Sequence, residues 1–305
     1  MLLLSGCTRD SLPEEDTGGL KIVASIFPAY DFARQICTEE DTLHLLIAPG
    51  MDSHSYSPSP QDIIAIEDCD IFIYVGGSSD TWLDDILSSI DLSEKQIVRM
   101  MDCVDLLEEG HPEQQEHSHG EEENHVHEQE LVDEHVWTSP RNAMRITEKI
   151  SSALQAAAPQ QAMIYEEKCA AYLEQLEDLD ARFRDLVKNA ARKRLVFGDR
   201  FPLRYFVNEY GLDYQAAYIG CSTEAEPSAA MIAELIDLVR EEQIPVILKL
   251  EMSNDNIAKT IAADSGADIR IFQSCHTLSK EDFEAGKSYI SLMEENLIVL
   301  EEALN

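Results

Sequence analysis

The sequence predicts an α/β protein made of two similar lobes, each with a mostly parallel sheet, joined by a long rigid helix. Short β-branched runs alternate with helix-length segments in both halves of the 305-residue chain. One long amphipathic segment separates the halves. The length suits two domains at roughly 100 to 200 residues each, and 44% apolar residues can supply both cores.

The first half alternates strands and helices over short repeats, which favours parallel pairing. The β-branched run 22–26 ends at Pro28 and predicts the first buried strand. The remaining predicted elements of this half are a helix over 31–37, a strand over 43–47, a helix over 60–67, a strand over 71–75 and a helix over 81–90.

A helix over 140–157 precedes a longer one over 160–188 that we expect to cross a whole lobe, at about 1.5 Å per residue. Its apolar side chains recur at helical spacing, and they are Ile164, Tyr172, Leu176, Leu179, Phe183 and Leu186. Alternation then resumes with a strand over 195–197, helices over 202–210 and 229–241, a strand over 244–250, a helix over 255–263, a strand over 269–272 and a helix over 289–304.

These elements suggest four divisions of the chain: an N-terminal segment and tether over 1–19, a first lobe over 20–158, a connecting helix over 159–192 and a second lobe over 193–305. The first lobe carries an insertion over 108–134 that interrupts the alternation.

The charge of the chain restricts its partners. Lys and Arg total 23 against 59 Asp and Glu, so the formal net charge is −36 and the sequence pI is about 4.4. Such a field repels nucleic-acid phosphates and favours cations. We therefore expect no nucleic-acid partner. No apolar run reaches the roughly 20 residues that a membrane-spanning helix needs.

The stretch from Glu108 to His135 contains eleven acids and six histidines, with no Lys or Arg between Arg99 and Arg141. It is too polar to bury a core, so we expect a mobile insertion. Imidazoles beside carboxylates indicate an auxiliary surface that collects divalent metals; an ordinary solvated acidic loop is the alternative. The histidines of this auxiliary surface are His111, His117, His119, His125 and His127, whereas the sixth, His135, lies in a separate motif.

The N-terminal run Leu2-Leu3-Leu4-Ser5-Gly6-Cys7 resembles the lipobox of bacterial lipoproteins, in which the cysteine is lipidated. The basic segment and most of the apolar stretch of a signal peptide are missing, which indicates a start assigned late or a truncated sequence. A chance apolar start is the alternative. Lipidation of Cys7 would anchor the chain to the outer face of the cell membrane.

Three further histidines follow predicted strands, where open α/β sheets place their ligands. His54 follows Pro49-Gly50-Met51-Asp52-Ser53, His135 lies in Asp-Glu-His-Val-Trp-Thr-Ser-Pro, and His276 lies in Ser-Cys-His-Thr. Each of these histidines, taken alone, could be a structural residue whose ring nitrogens are hydrogen-bonded within the fold. We expect this role for His44 in its apolar strand.

Several segments, in order, resemble the zinc and manganese solute-binding lipoproteins of ABC importers. They are 22–33, 49–62, 134–142, 205–212 and 287–300, and the likeness extends over about residues 20–305. The resemblance implies two (β/α)₄-like lobes, a connecting backbone helix, and a metal held in the cleft by three or four side chains. It also implies a monomer that delivers its metal to a membrane permease.

His54 and His135 match the first two metal ligands of that family. The histidine expected before Tyr210-Gly211-Leu212 is absent, and Asp199 lies one position from its place. His276 stands near where the family often has an aspartate. The resemblance therefore implies His54, His135 and His276 as ligands, with Asp199 or Glu251 as the fourth. Three imidazoles and a carboxylate suit zinc, whereas manganese prefers more oxygens.

Cys221 and Cys275 lie on predicted cleft loops and could form a disulfide in an extracytoplasmic protein, or remain two free thiols. A zinc hydrolase is the main alternative function, although the sequence lacks HExxH. A surface metal buffer or adhesin without a permease is the third. A receptor that performs no reaction fits the residues best.

Overall fold

The computed structural model describes residues 18–51, 53–108, 132–218 and 226–305, and it confirms the α/β fold with two parallel sheets. The first sheet contains β1 (Lys21–Ala24), β2 (Thr42–Leu45), β3 (Ile71–Tyr74) and β4 (Gln96–Arg99), in the spatial order β2-β1-β3-β4. The second contains β5 (Arg194–Phe197), β6 (Asp213–Ala216), β7 (Val246–Leu250) and β8 (Asp268–Phe272), in the order β6-β5-β7-β8.

Helices connect and cover these strands. In chain order they are α1 (Phe27–Ile36), α2 (Pro60–Asp68), α3 (Trp82–Ser89), α4 (Pro140–Ala157), α5 (Ala162–Asn189), α6 (Arg204–Tyr210), α7 (Ala229–Glu241), α8 (Asn256–Ser265), α9 (Lys280–Glu284) and α10 (Tyr289–Leu304). No helix within the described ranges is both long and apolar enough to cross a membrane.

The start of α2 shows how the sequence fixes a loop near the later site. Ser59 is the N-cap, and its Oγ accepts a hydrogen bond from Asp62 N at 3.3 Å. Asp62 Oδ2 accepts one from Ser59 N at 2.7 Å and another from the Tyr56 hydroxyl at 2.8 Å. This capping box, with Pro60 in the first turn, holds the chain that leads from His54 into α2.

The predicted connector is α5, which packs against α4 and α1 on one side and α10 and α6 on the other. Leu176 and Phe183 are fully buried, and one continuous apolar core runs along the helix through both lobes. Ile164, predicted on the apolar face, is instead 48% exposed, and Tyr165 is buried.

The two lobes also meet through α1 and α10. Asp31 Oδ2 accepts a hydrogen bond from Tyr289 N at 2.7 Å, and an Arg34 guanidinium nitrogen donates to Lys287 O at 3.1 Å. Because Asp31 is buried and satisfies an N–H in the first turn of α10, it fixes where that helix begins against the first lobe.

Several elements differ from prediction, including the short helix α9, which was not predicted. Helix α1 begins at Phe27 rather than at residue 31, because Pro28 occupies its first turn, where no N–H is needed, and does not simply end the strand. Strands β4 and β6 were not predicted. Both are edge strands with polar side chains, so their sequences lack the continuous apolar run of a central strand.

Candidate metal centre

The fold brings His54, His135 and His276 together in a cleft between the lobes. His54 lies in a 3₁₀ turn over Ser53–Ser55 after β2, His135 immediately precedes another over Val136–Thr138, and His276 follows β8. The imidazole centroids are 6.2 Å apart for His54 and His135, 5.8 Å for His54 and His276, and 5.7 Å for His135 and His276. One nitrogen from each ring lies within 4.8 Å of the other two.

The three rings face a cleft of about 270 Å³. Met51 and Ser53 line it from the first lobe, and Leu250 and Met252 line it from the second. His135 is 3% exposed, whereas His54 lies nearer to solvent. The group is therefore enclosed by two folded units and open at one side.

Two adjacent acids lie beside two of the imidazoles, and one of them is hydrogen-bonded to its ring. Asp133 Oδ1 accepts hydrogen bonds from His135 N at 2.8 Å and from His135 Nδ1 at 3.1 Å, which leaves the Nε2 lone pair available. Glu134 Oε1 lies 3.6 Å from His54 Nδ1, and Glu134 Oε2 accepts from Ser79 N at 3.0 Å. Carboxylates behind histidine are typical of metal sites because they fix the ring and its tautomer.

His276 is held from across the cleft. Its Nε2 lies 2.7 Å from Ser53 Oγ of the first lobe. Burial lowers the pKa of His276 well below its usual value, and the nearby His135 and His54 lower that pKa further. The ring is therefore neutral at pH 7, which is the form that binds a metal.

The two candidate fourth ligands line the same cleft, but each is engaged elsewhere. Asp199 Oδ1 accepts from Arg200 N at 2.8 Å, while its Oδ2 accepts from Leu250 N at 2.9 Å and from the Ser253 hydroxyl. Glu251 Oε2 accepts from Ser274 N at 2.7 Å. Neither carboxylate joins the three-histidine group among the residues the structure describes, and the fourth ligand stays a prediction.

Cys275 carries a free thiol, and its predicted disulfide with Cys221 stays a prediction. The thiol is buried, and loss of hydration raises its pKa well above the usual value. Its predicted partner Cys221 lies outside the described residues. So do Cys7 and the auxiliary histidines His111, His117, His119, His125 and His127.

Trp137 is a part of the site that sequence reasoning missed. Its ring is fully buried, with the centroid 5.4 Å from that of His135 and 5.1 Å from that of His276. The indole N–H donates to Ser274 O at 3.0 Å, and the Tyr289 hydroxyl donates to Trp137 O at 2.8 Å. In the sequence, the only indication of this role was that an aromatic residue lies two positions after His135.

Two α/β lobes on a shared helical core, with three imidazoles facing the cleft between them, define a bilobed binding protein whose site suits a metal ion. Residues 22–303 match the family ZnuA, described as "Zinc-uptake complex component A periplasmic". The chain belongs to this family.

Individual relatives agree with this membership. The zinc-binding lipoprotein AdcA of Streptococcus pneumoniae (strain R6) is 33% identical over 99% of this chain, which spans 58% of that relative's length. The high-affinity zinc uptake system protein ZnuA of Bacillus subtilis is 32% identical over 99% of this chain and 94% of its own. The crystal structure of the Zn(II)-bound ZnuA-like domain of S. pneumoniae AdcA matches with a TM-score of 0.76 and 30% identity, over 94% of this chain and 99% of that one.

Proposed function

We propose that this chain is an extracytoplasmic receptor that captures Zn²⁺ in the interlobe cleft through His54, His135 and His276, and delivers it to the permease of an ABC importer. The observation that carries the proposal is the convergence of three imidazole nitrogens within 4.8 Å of one another, from loops of both lobes. Membership in a zinc-uptake family and a Zn(II)-bound structural relative support the same cargo.

Zinc is favoured over manganese by the donors themselves. Neutral imidazole suits zinc, whereas manganese prefers carboxylate, carbonyl and water oxygens. The nearest carboxylates, Asp133 and Glu134, are engaged by imidazole and backbone N–H groups, so they orient the ligands and leave nitrogen as the principal donor. The three imidazoles leave a fourth coordination position for an oxygen donor, a carboxylate or a water molecule.

We propose binding and release without a chemical reaction. A hydrolase would need a general base beside the metal. Asp133 already accepts a hydrogen bond from His135 Nδ1, and Glu134 already accepts one from Ser79 N. Assays of the zinc-loaded protein on esters, peptides and phosphates test this, because turnover would identify a hydrolase.

The proposed location is the outer face of a bacterial cell membrane, where a lipid on Cys7 would hold a monomer near its permease. The family description as a periplasmic uptake component supports an extracytoplasmic place. Confinement near the membrane would let a receptor with a narrow cleft meet its permease repeatedly.

Substitution of each histidine tests the site. Elemental analysis should find one tightly bound zinc per chain, and His54→Ala, His135→Ala and His276→Ala should each weaken zinc binding by at least about 100-fold in competition with a chelator. Loss of a residue that only orients a ligand already costs about 10- to 100-fold.

The matched control is His44→Ala, because His44 lies exposed on β2 and is not part of the three-histidine group. It should bind zinc as the unchanged chain does. Unaltered zinc affinity in His276→Ala would contradict the assignment of that ligand.

A further inference from the structure

The loop over 274–277, which carries His276, is bonded to the first lobe at three of its four residues. The Trp137 indole donates to Ser274 O at 3.0 Å, and Ser53 Oγ lies 2.7 Å from His276 Nε2. Gly50 N donates to Thr277 Oγ1 at 2.9 Å. These contacts fix the outer side of the loop.

The inner side of the loop is held by Glu251, at the end of β7. Glu251 Oε2 accepts from Ser274 N at 2.7 Å, and Oε1 accepts from Ser274 Oγ at 2.5 Å. Ser274 Oγ in turn accepts from His276 N at 3.2 Å. One carboxylate thus connects through a single serine to the backbone of the ligand residue.

The loop needs such a partner because its own conformation is unfavourable. Cys275, between Ser274 and His276, has φ of 58°, in the left-handed region that residues other than glycine rarely adopt. A conformation of this kind persists only where the surroundings over-determine it. The paired hydrogen bonds from Glu251 to the preceding residue supply that constraint.

We propose that Glu251 is a positioning residue that holds the 274–277 loop so that His276 faces the metal, and that it is not the fourth zinc ligand. This inference rests on the proposed function. If Glu251 turned toward the metal, the buried Ser274 N–H and hydroxyl would lose their acceptor, and the left-handed turn at Cys275 would lose its support.

Two variants separate the roles. Glu251→Gln keeps one acceptor oxygen but presents an amide NH₂ in place of the other, and Ser274→Ala removes the hydroxyl that joins Glu251 to His276 N. Each should weaken zinc binding about 10- to 100-fold, as expected for a group that acts through a ligand. The zinc affinity of the double variant should equal that of whichever single variant binds zinc less tightly, because both changes break the same connection.

Cobalt(II) substitution reports the donors directly. The visible spectrum of the Co(II)-loaded Glu251→Gln variant should keep the band positions and intensities of the unchanged chain, because no inner-shell donor is lost. Glu295→Gln is the matched control, since Glu295 accepts from the Gln273 side chain at 3.2 Å and does not line the cleft. It should alter neither the cobalt spectrum nor zinc affinity.

A changed cobalt spectrum in Glu251→Gln, with normal zinc affinity in Ser274→Ala, would overturn the inference and make Glu251 a ligand. Additive losses in the double variant, or no loss in either single variant, would also overturn it. If a thermal melt shows that Glu251→Gln is not folded, Ser274→Ala alone tests the inference. It should then show weaker zinc binding and an unchanged cobalt spectrum. Absence of tight zinc in both the unchanged chain and Glu295→Gln would instead reject the proposed function.

Discussion

Asp80 is a buried carboxyl close to the groups that orient His54. Its Oδ2 accepts hydrogen bonds from Val75 N and Gly76 N, both at 2.9 Å, while its Oδ1 has no partner among the described residues. Burial raises the pKa of Asp80 to about 6, and the negative charge of Glu134 adds to the increase. The folded protein therefore holds this proton more tightly than the unfolded chain does.

Because the folded pKa of Asp80 lies above its unfolded value of 3.8, its ionisation costs stability as pH rises through 6. Asp80→Asn keeps an oxygen for the two backbone donors and removes the charge. We expect it to stabilise the protein by about 1 to 2 kcal/mol at pH 7.5, below the ~3 kcal/mol that corresponds to the difference between pKa values of about 6 and 3.8.

Urea unfolding at pH 4.5, 6 and 7.5 measures this effect, and most of the decrease in the gain should occur between pH 6 and pH 4.5. Asp102→Asn is the control, because that carboxylate is 66% exposed beside Arg99 and should change stability by less than about 0.5 kcal/mol. An Asp80→Asn effect that stays constant across the three pH values would contradict the shifted pKa.

At the residue scale, motifs identified candidate ligands but not their partners. His54, His135 and His276 could be selected from the sequence, and the structure brings them together. Asp199 was selected because it lies one position from the histidine that the resemblance implies, and Glu251 because it follows a predicted strand. Their hydrogen bonds to Ser253 and Ser274, which are 54 and 23 residues away, depend on the tertiary fold and leave no local pattern.

Helix α5 is the element on which both lobes depend for their core. Leu176 is 0% exposed near its middle, so Leu176→Ala should leave a cavity and lower the free energy of unfolding by about 2 to 5 kcal/mol. Met163, 83% exposed on the first turn, offers Met163→Ala as a control that should change it by less than about 0.5 kcal/mol.

Chemical denaturation measures both variants, and tryptophan fluorescence and circular dichroism should report the same midpoint, since the core is continuous through the two lobes. A loss under 1 kcal/mol in Leu176→Ala would show that the lobes are stable without this packing.

At the element scale, capping chemistry made some helices predictable to the residue. Helices α4, α7 and α10 begin after Ser139, Ser228 and Ser288, each of which accepts a hydrogen bond from a first-turn N–H. The edge strands β4 and β6 have mixed polarity, and only pairing with β3 and β5 makes them strands.

At the scale of the whole molecule, the two ends of the histidine-rich insertion are held together. Glu108 and Val132 form an antiparallel bridge, and Asp133 N donates to Leu107 O at 2.9 Å. The Tyr205 hydroxyl of the second lobe donates to Asp133 O at 2.8 Å and accepts from Leu107 N at 3.1 Å. Residues between these ends can therefore be removed without separating the strands that flank them.

Deletion of residues 110–129 should remove weak zinc sites and leave one tight site. The polar, charged composition of this stretch predicts that metal coordination there must offset roughly 1 to 2 kcal/mol of entropy for each backbone residue that becomes ordered, whereas the cleft is already formed. Zinc titration by calorimetry checks this, and weak binding by the full chain should fade as pH falls through about 6.5, where imidazole becomes protonated. Loss of the tight site on deletion would mean that the insertion contributes to the cleft.

The alternation of strands and helices in the sequence predicted two lobes. It did not predict that the lobes share a core. The sequence predicted a connector between two lobes, whereas in the structure α5, α1 and α10 pack together in a main core that both lobes share, beside a smaller apolar cluster in the second lobe. Contacts such as Asp31 with Tyr289 N join residues 258 positions apart, and no local periodicity encodes them. The exact domain boundaries stay a prediction.

The repeated strand order gives the two lobes comparable places at the metal centre. The orders β2-β1-β3-β4 and β6-β5-β7-β8 are the same when the second lobe is counted from its own first strand. His135 and His276 each come after the fourth strand of their sheet in the chain, so each lobe contributes one imidazole from a corresponding place. Separation of the lobes would therefore divide the three imidazoles, leaving His54 and His135 on one lobe and His276 on the other.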